Sequence, residues 1–174
     1  MESMHMKFFI NNSVTPKHLV GHFVFFVVVI FGLTVNPVKG EDVALSNLPE
    51  VIRKAADSAV PNAKWNKAVK ETDGKDNWYD IEGVDSKGRY VCVTVEPNGD
   101  IEEIETEINL QDTPKKIMTA LRDRLPNFKI SAVYEIRDDE KKILRYDFEG
   151  RRLKDKKDVI VSFSGDAKFI KIND

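Results

Sequence analysis

A five-residue phrase that occurs twice constrains the fold of this chain more than any other feature. The letters YDIEG stand at residues 79–83 and YDFEG at residues 146–150. A helix pattern precedes each copy, and a strand, a Gly-Asp turn and a last strand follow each copy. The sequence therefore predicts a unit of one helix and four antiparallel strands that is present twice, as a first repeat at 41–108 and a second repeat at 109–174.

The helices are indicated by apolar residues that recur on one helix face, at 48–60 in the first repeat and at 117–125 in the second. Asn47 followed by Glu50 has the pattern of a capping box, and Thr113 has the capping position of the second helix. A proline ends each pattern. We expect both helices to cover the same face of the sheet, which gives an α+β fold with helices on one side.

Alternating apolar residues predict the strands, most clearly at residues 128–136. The matching stretch at 63–69 is weaker and predicts a shorter strand or an edge strand. Gly99 and Gly165 lie in Asn-Gly-Asp and Ser-Gly-Asp sequences, which are typical of hairpin turns because glycine adopts positive φ without a Cβ penalty. No linker rich in Gly, Pro or Ser separates the repeats, so we expect them to pack as one rigid body.

An apolar run at residues 19–35 precedes the repeats, and basic residues lie before it. Pro37 and the small residues Val38 and Gly40 follow, which is the layout of a secretory signal peptide at 1–40 that is cleaved before Glu41. The alternative is an uncleaved membrane anchor at 19–35, for which the run is short, because about 20 apolar residues span a bilayer. Both predict export to the periplasm or the cell exterior, with membrane contact only through this segment.

The residue types exclude most catalytic chemistry. All three histidines, His5, His18 and His22, lie before the predicted cleavage site. The remaining chain therefore cannot use a Ser-His-Asp or Cys-His mechanism, and most zinc sites are excluded as well. Cys92 is the one cysteine, so an intramolecular disulfide is excluded; we expect a buried thiol, with an intermolecular pair as the alternative. We expect no catalytic residue, no metal and no cofactor.

Carboxylate pairs are the remaining candidates for catalysis. Asp80 and Glu82 share one strand face, and Asp147 and Glu149 repeat the arrangement. Because the pairs occur in both repeats, opposite the buried side chains, we interpret them as solvated charge and keep a carboxylate hydrolase as a remote option. The glutamates at 102–107 are interpreted in the same way, as a solvated strand face.

Charge is distributed unevenly along the chain. Residues 41–107 contain eight basic and 16 acidic residues, whereas residues 108–174 contain 16 basic and 12 acidic residues. Opposite charge can either help the two repeats to pack or steer a partner. The basic run at 151–157 is interrupted and belongs to a chain of net charge −2, so we expect no nucleic-acid partner.

The face without helices is expected to carry a mixture of aromatic, charged and small polar side chains. Its members are Trp78, Asp80, Glu82, Tyr90, Cys92 and Thr94 from the first repeat, and Arg145, Asp147, Glu149 and Ser162 from the second. Trp, Tyr and Arg among adaptable polar groups are typical of protein-binding hot spots. The alternative is that Trp78 and Tyr90 pack as a cross-strand pair.

The chain resembles the PepSY-like group, which is related in fold to the β-lactamase inhibitory protein. The resemblance covers residues 48–172 and is carried by the proline-bounded helix, the YDIEG strand, Val-x-Val-x-Val and Asn-Gly-Asp-Ile. It implies an antiparallel sheet with helices on one side, and a protein that binds or inhibits an extracytoplasmic enzyme such as a peptidase or a β-lactamase. The chain differs from the inhibitor in lacking its paired cysteines.

In the inhibitor, the open sheet face and the hairpin loops engage the enzyme. By position, the resemblance adds Asp85 of the first loop and Arg151 and Arg152 of the second to the open-face residues above. We therefore expect an exported, non-enzymatic module that binds a protein in the cell envelope or outside the cell. The alternative is an envelope structural or sensory protein that binds a small ligand or an ion between the repeats.

Overall fold

The strands pair in the order in which they occur in the chain, and every pair is antiparallel. The structure is a computed structural model that describes residues 39–173. Its elements are β1 (Lys39–Asp42), α1 (Glu50–Ala59), β2 (Lys64–Asp73), β3 (Asp76–Val84), β4 (Tyr90–Val95), β5 (Ile101–Glu107), α2 (Lys115–Arg124), β6 (Phe128–Arg137), β7 (Ile143–Arg152), β8 (Lys157–Ser164) and β9 (Phe169–Asn173). Short 3₁₀ turns, Leu45–Asn47 and Leu110–Asp112, precede the two α-helices.

The predicted α+β class and the antiparallel sheet are confirmed, but the sheet is one continuous layer of nine strands. Strand β1 was not predicted, and it spans the expected cleavage site before Glu41. A repeated four-stranded unit stays a prediction. The predicted signal peptide lies outside the described residues except for Lys39 and Gly40. None of the helices in the described part of the chain has the length and apolar character needed to cross a membrane.

Both helices cover one face of the sheet, because alternate residues of each strand point to that face and the apolar ones lie there. Ile81 is opposite Val93, which is opposite Ile104, and these residues pack against α1. Phe148 and Val161 pack in the same way against α2. The buried residues form two clusters, one under each helix. Burying these side chains supplies the main favourable free energy of folding.

The helices begin one residue after the prolines, and the predicted caps are wrong. Pro49 and Pro114 occupy the N-cap positions, and neither helix has a side-chain cap hydrogen bond. A residue before proline is driven into the extended region, and Leu48 and Thr113 accordingly have ψ of 136° and 131°. Asn47 therefore lies two residues before the N-cap position of α1 and does not cap the helix.

The glycine that ends each phrase is required by a close approach of neighbouring backbone. A Cβ on Gly83 would lie 2.5 Å from the carbonyl oxygen of Lys64, and a Cβ on Gly150 would be closer still to the carbonyl oxygen of Lys129. Each contact lies beside a β-bulge in the preceding strand, and such bulges bend the strand locally. Strand β2 has ten residues, as β6 has, and it pairs with both β1 and β3. The prediction of a shorter strand or an edge strand is therefore wrong.

The two predicted hairpin turns differ in which residue adopts positive φ. Gly99 has φ of 95°, as predicted. In the second turn Ala167 has φ of 71°, and Gly165 is not in this region. Glycine therefore serves the predicted role only in the first turn.

We expect Gly83→Ala and Gly150→Ala each to lower the free energy of unfolding by several kcal/mol, because backbone atoms cannot move away from the added methyl group. Urea unfolding followed by circular dichroism measures the change. Gly165→Ala is the control, since its Cβ would meet the Ile143 carbonyl oxygen at 3.2 Å and should cost less. Equal stability of all three variants would contradict the close approach.

Candidate functional site

The face that neither helix covers is the open face, and its members follow from the strand register. Asp80 is opposite Thr94, Glu82 is opposite Cys92, and Asp147 is opposite Ser162. The structure thus places all ten residues that the sequence assigned to this face on the same side of the sheet. Strand β5 adds three more residues, Glu103, Glu105 and Glu107.

Arg145 is the central cation of the open face. Its guanidinium donates to Glu103 at 2.6 and 3.0 Å and to Asp147 at 3.0 Å. The Arg145 side chain is 20% exposed and that of Glu103 is 5% exposed. Burial alone would lower the pKa of Arg145, but the hydrogen bonds with Glu103 and the charge of Asp147 raise it. The bridge joins β7 to β5 across β6.

Asp80 and Glu105 are carboxyl groups whose surroundings oppose ionisation. Burial raises the pKa of Asp80 to about 7, although the Thr94 hydroxyl donates to it at 2.7 Å, and the charges of Glu71 and Glu103 contribute further. Burial and the charge of Asp147 raise the pKa of Glu105 well above its usual value. Both shifts arise first from burial, and the neighbouring carboxylates of the open face increase them.

The aromatic residues of the open face do not form the cross-strand pair that was the alternative interpretation. Trp78 is opposite Glu71, and Tyr90 is opposite Val84. Tyr90 instead makes an edge contact with Tyr134 of β6, with ring centroids 5.9 Å apart. The two rings come from strands on either side of β5, so this contact also joins the two halves of the sheet.

The hairpin residues have structural roles in the described part of the chain. Asp85 is buried and accepts hydrogen bonds from the backbone of Lys87 and Arg89 and from the Arg89 guanidinium. Burial would raise the pKa of Asp85, and the hydrogen bonds from Arg89 lower it below its usual value. Asp85 therefore organises the β3–β4 turn.

The two arginines of the second hairpin lie on different faces. Arg151 follows Glu149 by two residues, points to the open face, and makes a bidentate pair with exposed Asp158 at 2.8 Å. Arg152 is opposite Lys157 on the face that the helices cover, and it binds Asp155. Only Arg151 therefore lies beside the other predicted site residues.

The structure confirms one interpretation from the sequence and changes two others. Cys92 is 4% exposed, and burial together with the charge of Asp80 raises its pKa well above the usual value, so the expected buried thiol is confirmed. Glu103 is 4% exposed and bound by Arg145, so the interpretation of 102–107 as a solvated face is wrong for this residue. Asp80 and Asp147 are buried as well, so their interpretation as solvated charge is wrong. Strand β5 lies in the middle of the sheet, which the local sequence could not show.

Several solved structures have a fold similar to that of this chain. No protein-family model and no curated protein sequence matches this chain. A solved BLIP-like protein from Bacteroides fragilis is 22% identical with a TM-score of 0.54, over 73% of this chain and 87% of that chain. A DUF2874 family protein from Bacteroides uniformis is 12% identical with a TM-score of 0.58, over 72% and 88%. A proposed periplasmic protein from Bacteroides eggerthii is 14% identical with a TM-score of 0.57, over 72% and 87%.

The protein has a BLIP-like fold. The resemblance predicted from the sequence is thus confirmed at the level of fold. The structural similarity shows a shared BLIP-like architecture. At such low sequence identity it does not show shared site residues or shared binding targets.

Arg145→Met tests the bridge in this BLIP-like sheet. We expect the free energy of unfolding to fall by about 3 kcal/mol at neutral pH, because Glu103 and Asp147 then remain buried without their cation. Adding Glu103→Gln should restore part of the loss. Urea unfolding measures each variant, and Arg151→Met, which breaks an exposed pair, should change little. Equal effects of the two arginine substitutions would contradict a special role for Arg145.

Asp80 makes stability depend on pH in a direction opposite to the usual carboxylate. Its pKa is about 7 in the folded protein against 3.8 for the free group, so the folded state binds more protons between these values. Stability should fall as pH rises from about 4 to about 7, by about 1 kcal/mol per pH unit, and level off above.

Asp80→Asn should reduce this slope and raise stability at pH above about 7, since the asparagine oxygen still accepts from Thr94. Urea midpoints measured across this pH range provide the test. The control Asp139→Asn, at an exposed turn, should keep the slope of the parent protein. An unchanged slope in the Asp80 variant would show that the residue ionises normally.

Proposed function

We propose that this protein is an exported, non-enzymatic module that binds another protein through the open face of its sheet and the adjoining hairpin loops. The observation that carries the proposal is a sheet with both helices on one side, which leaves Trp78, Tyr90 and Arg145 on the other face. Aromatic residues and arginine dominate binding energy in protein interfaces. The fold shared with a BLIP-like protein also supports the proposal.

Inhibition or regulation of an extracytoplasmic enzyme of the peptidase or β-lactamase type is the finer form of this proposal. Export is supported by the apolar segment at 19–35 and by the fold shared with a proposed periplasmic protein. For Asp147 and Glu103 a catalytic role is less favoured, because both bind the Arg145 guanidinium. A catalytic acid needs access to a substrate.

The envelope structural or sensory function is the second candidate from the sequence. It needs a ligand or ion between the two halves. No group of carboxylates and thiols in the described part of the chain is arranged to hold a metal ion. Nothing in residues 39–173 favours this candidate over protein binding.

Capture from an envelope extract of the producing organism tests the proposal. We expect the full chain to retain a partner that the Trp78→Ala/Tyr90→Ala variant loses. The control Leu110→Ala/Phe169→Ala removes two exposed apolar side chains that lie away from the open face and should retain it. The captured protein is then assayed for β-lactamase or peptidase activity with and without added chain. Equal recovery by all three forms would contradict the open face as the binding surface.

A further inference from the structure

The middle of the open face carries a large excess of negative charge. By register it holds eight carboxylates: Glu71, Asp80, Glu82, Glu103, Glu105, Glu107, Asp147 and Glu149. Two cations lie among them. Lys67 contacts Glu82 at 2.9 Å, and Arg145 contacts Glu103 and Asp147. Each cation is therefore already engaged by a carboxylate.

Half of these carboxylates have no ion-pair partner within residues 39–173. They are Glu71, Asp80, Glu105 and Glu107. The charges also repel one another: burial raises the pKa of Asp80 and Glu105, and neighbouring carboxylates raise it further. Charged groups placed this close without counter-charge destabilise a sheet.

The carboxylates are arranged in rows and not around a single point. Alternate residues of one strand lie about 6.7 Å apart, and neighbouring strands lie about 4.8 Å apart. Glu103, Glu105 and Glu107 form such a row along β5. An extended segment presents alternate side chains at the same interval. The described carboxylates do not form a cluster suited to a metal ion, so several spaced cations fit the arrangement better than one ion.

We propose that the open face docks a cationic segment of a protein partner, whose lysine and arginine side chains lie along the carboxylates of β5 and β3. The proposal rests on the protein-binding function above and adds the chemistry of the partner. Lys64, Lys129 and Arg151 lie at one end of the strands on this face. A cationic segment is therefore attracted to the acidic middle of the open face. The three basic residues repel any part of the segment that extends beyond this middle towards their end of the strands.

Binding should release protons. A cation beside Asp80 and Glu105 favours their ionised forms and lowers the raised pKa of each. Calorimetry at about pH 7 in buffers of different ionisation enthalpy would then show protons leaving the protein on binding. A partner that binds by apolar contact away from these groups would release none.

The test uses the full chain and a synthetic peptide of alternating lysine and threonine, with alternating glutamate and threonine as the control peptide. The acidic-face variant is Glu105→Gln/Glu107→Gln. Its matched control, Asp139→Asn/Glu140→Gln, removes the same charge at the exposed β6–β7 turn. The acidic-face variant relieves repulsion, so it should fold at least as stably as the parent, which urea unfolding checks.

We expect the lysine peptide to bind the parent and the matched control equally, and the acidic-face variant at least about tenfold more weakly. The glutamate peptide should not bind, and raising salt from about 50 mM to about 300 mM should weaken the lysine peptide. Equal weakening by both variants would overturn the proposal, because net charge alone would then explain binding. Saturable binding of calcium ions, or salt-sensitive self-association, lost in the same variant, would overturn it in favour of an ion or a second copy.

The capture experiment described above distinguishes failure of this proposal from failure of the protein-binding function on which it rests. A partner that is retained through Trp78 and Tyr90 but is unaffected by the acidic-face substitutions would overturn the cationic segment and leave the protein-binding function standing. Lysine-peptide binding at the open face without any captured protein would sustain the chemistry of the face and overturn the function.

Discussion

The continuity of the sheet between β5 and β6 is the constraint on which the rest of the structure depends. The apolar residues form separate clusters under the two helices, so no single core joins the halves. Four residue pairs join the strands, from Ile104 with Arg137 to Glu107 with Tyr134. Arg145 reinforces them by reaching from β7 past buried Ile136 to Glu103. The opposite charges of the two halves are thus used for packing at this point.

The sequence predicted the features that depend on local residue patterns. It did not predict features that depend on which distant segments become neighbours in the sheet. The repeated phrase that ends in Gly83 and Gly150 predicted strands. The structure adds the reason for the glycines, which is the close approach of backbone atoms of the preceding strand. Helix positions were predicted from apolar spacing, but the prolines moved both starts. The burial of Glu103 could not be predicted, because it requires knowing that β5 lies between β4 and β6. Strand β1 has too few residues to show a periodic pattern.

The acidic residues of the open face lower the stability of the folded protein, and the fold does not require them. Asp80 and Glu105 are carboxyl groups with raised pKa values, and their ionisation opposes the folded state at neutral pH. Uncharged residues of similar size at these positions would remove the energetic cost. Stabilising substitutions of this kind can be found for most natural proteins, which are rarely at their stability optimum. Positions at which a sequence departs from what stability favours are expected at functional sites. The acidic middle of the sheet is such a departure.

The two halves also differ at particular positions of this face. Aligned by their phrases, they keep Ile81 and Phe148 as core residues under the helices. On the open face, however, Trp78 corresponds to Arg145. Asp80 accepts from the Thr94 hydroxyl, whereas the hydroxyl of Ser162 has no hydrogen-bond partner among residues 39–173, and Asp147 is held by Arg145 instead. Packing explains why the covered face is alike in both halves. Packing does not explain why one half of the open face carries the aromatic residue and the other the bridging cation, whereas a single asymmetric surface that meets one partner does.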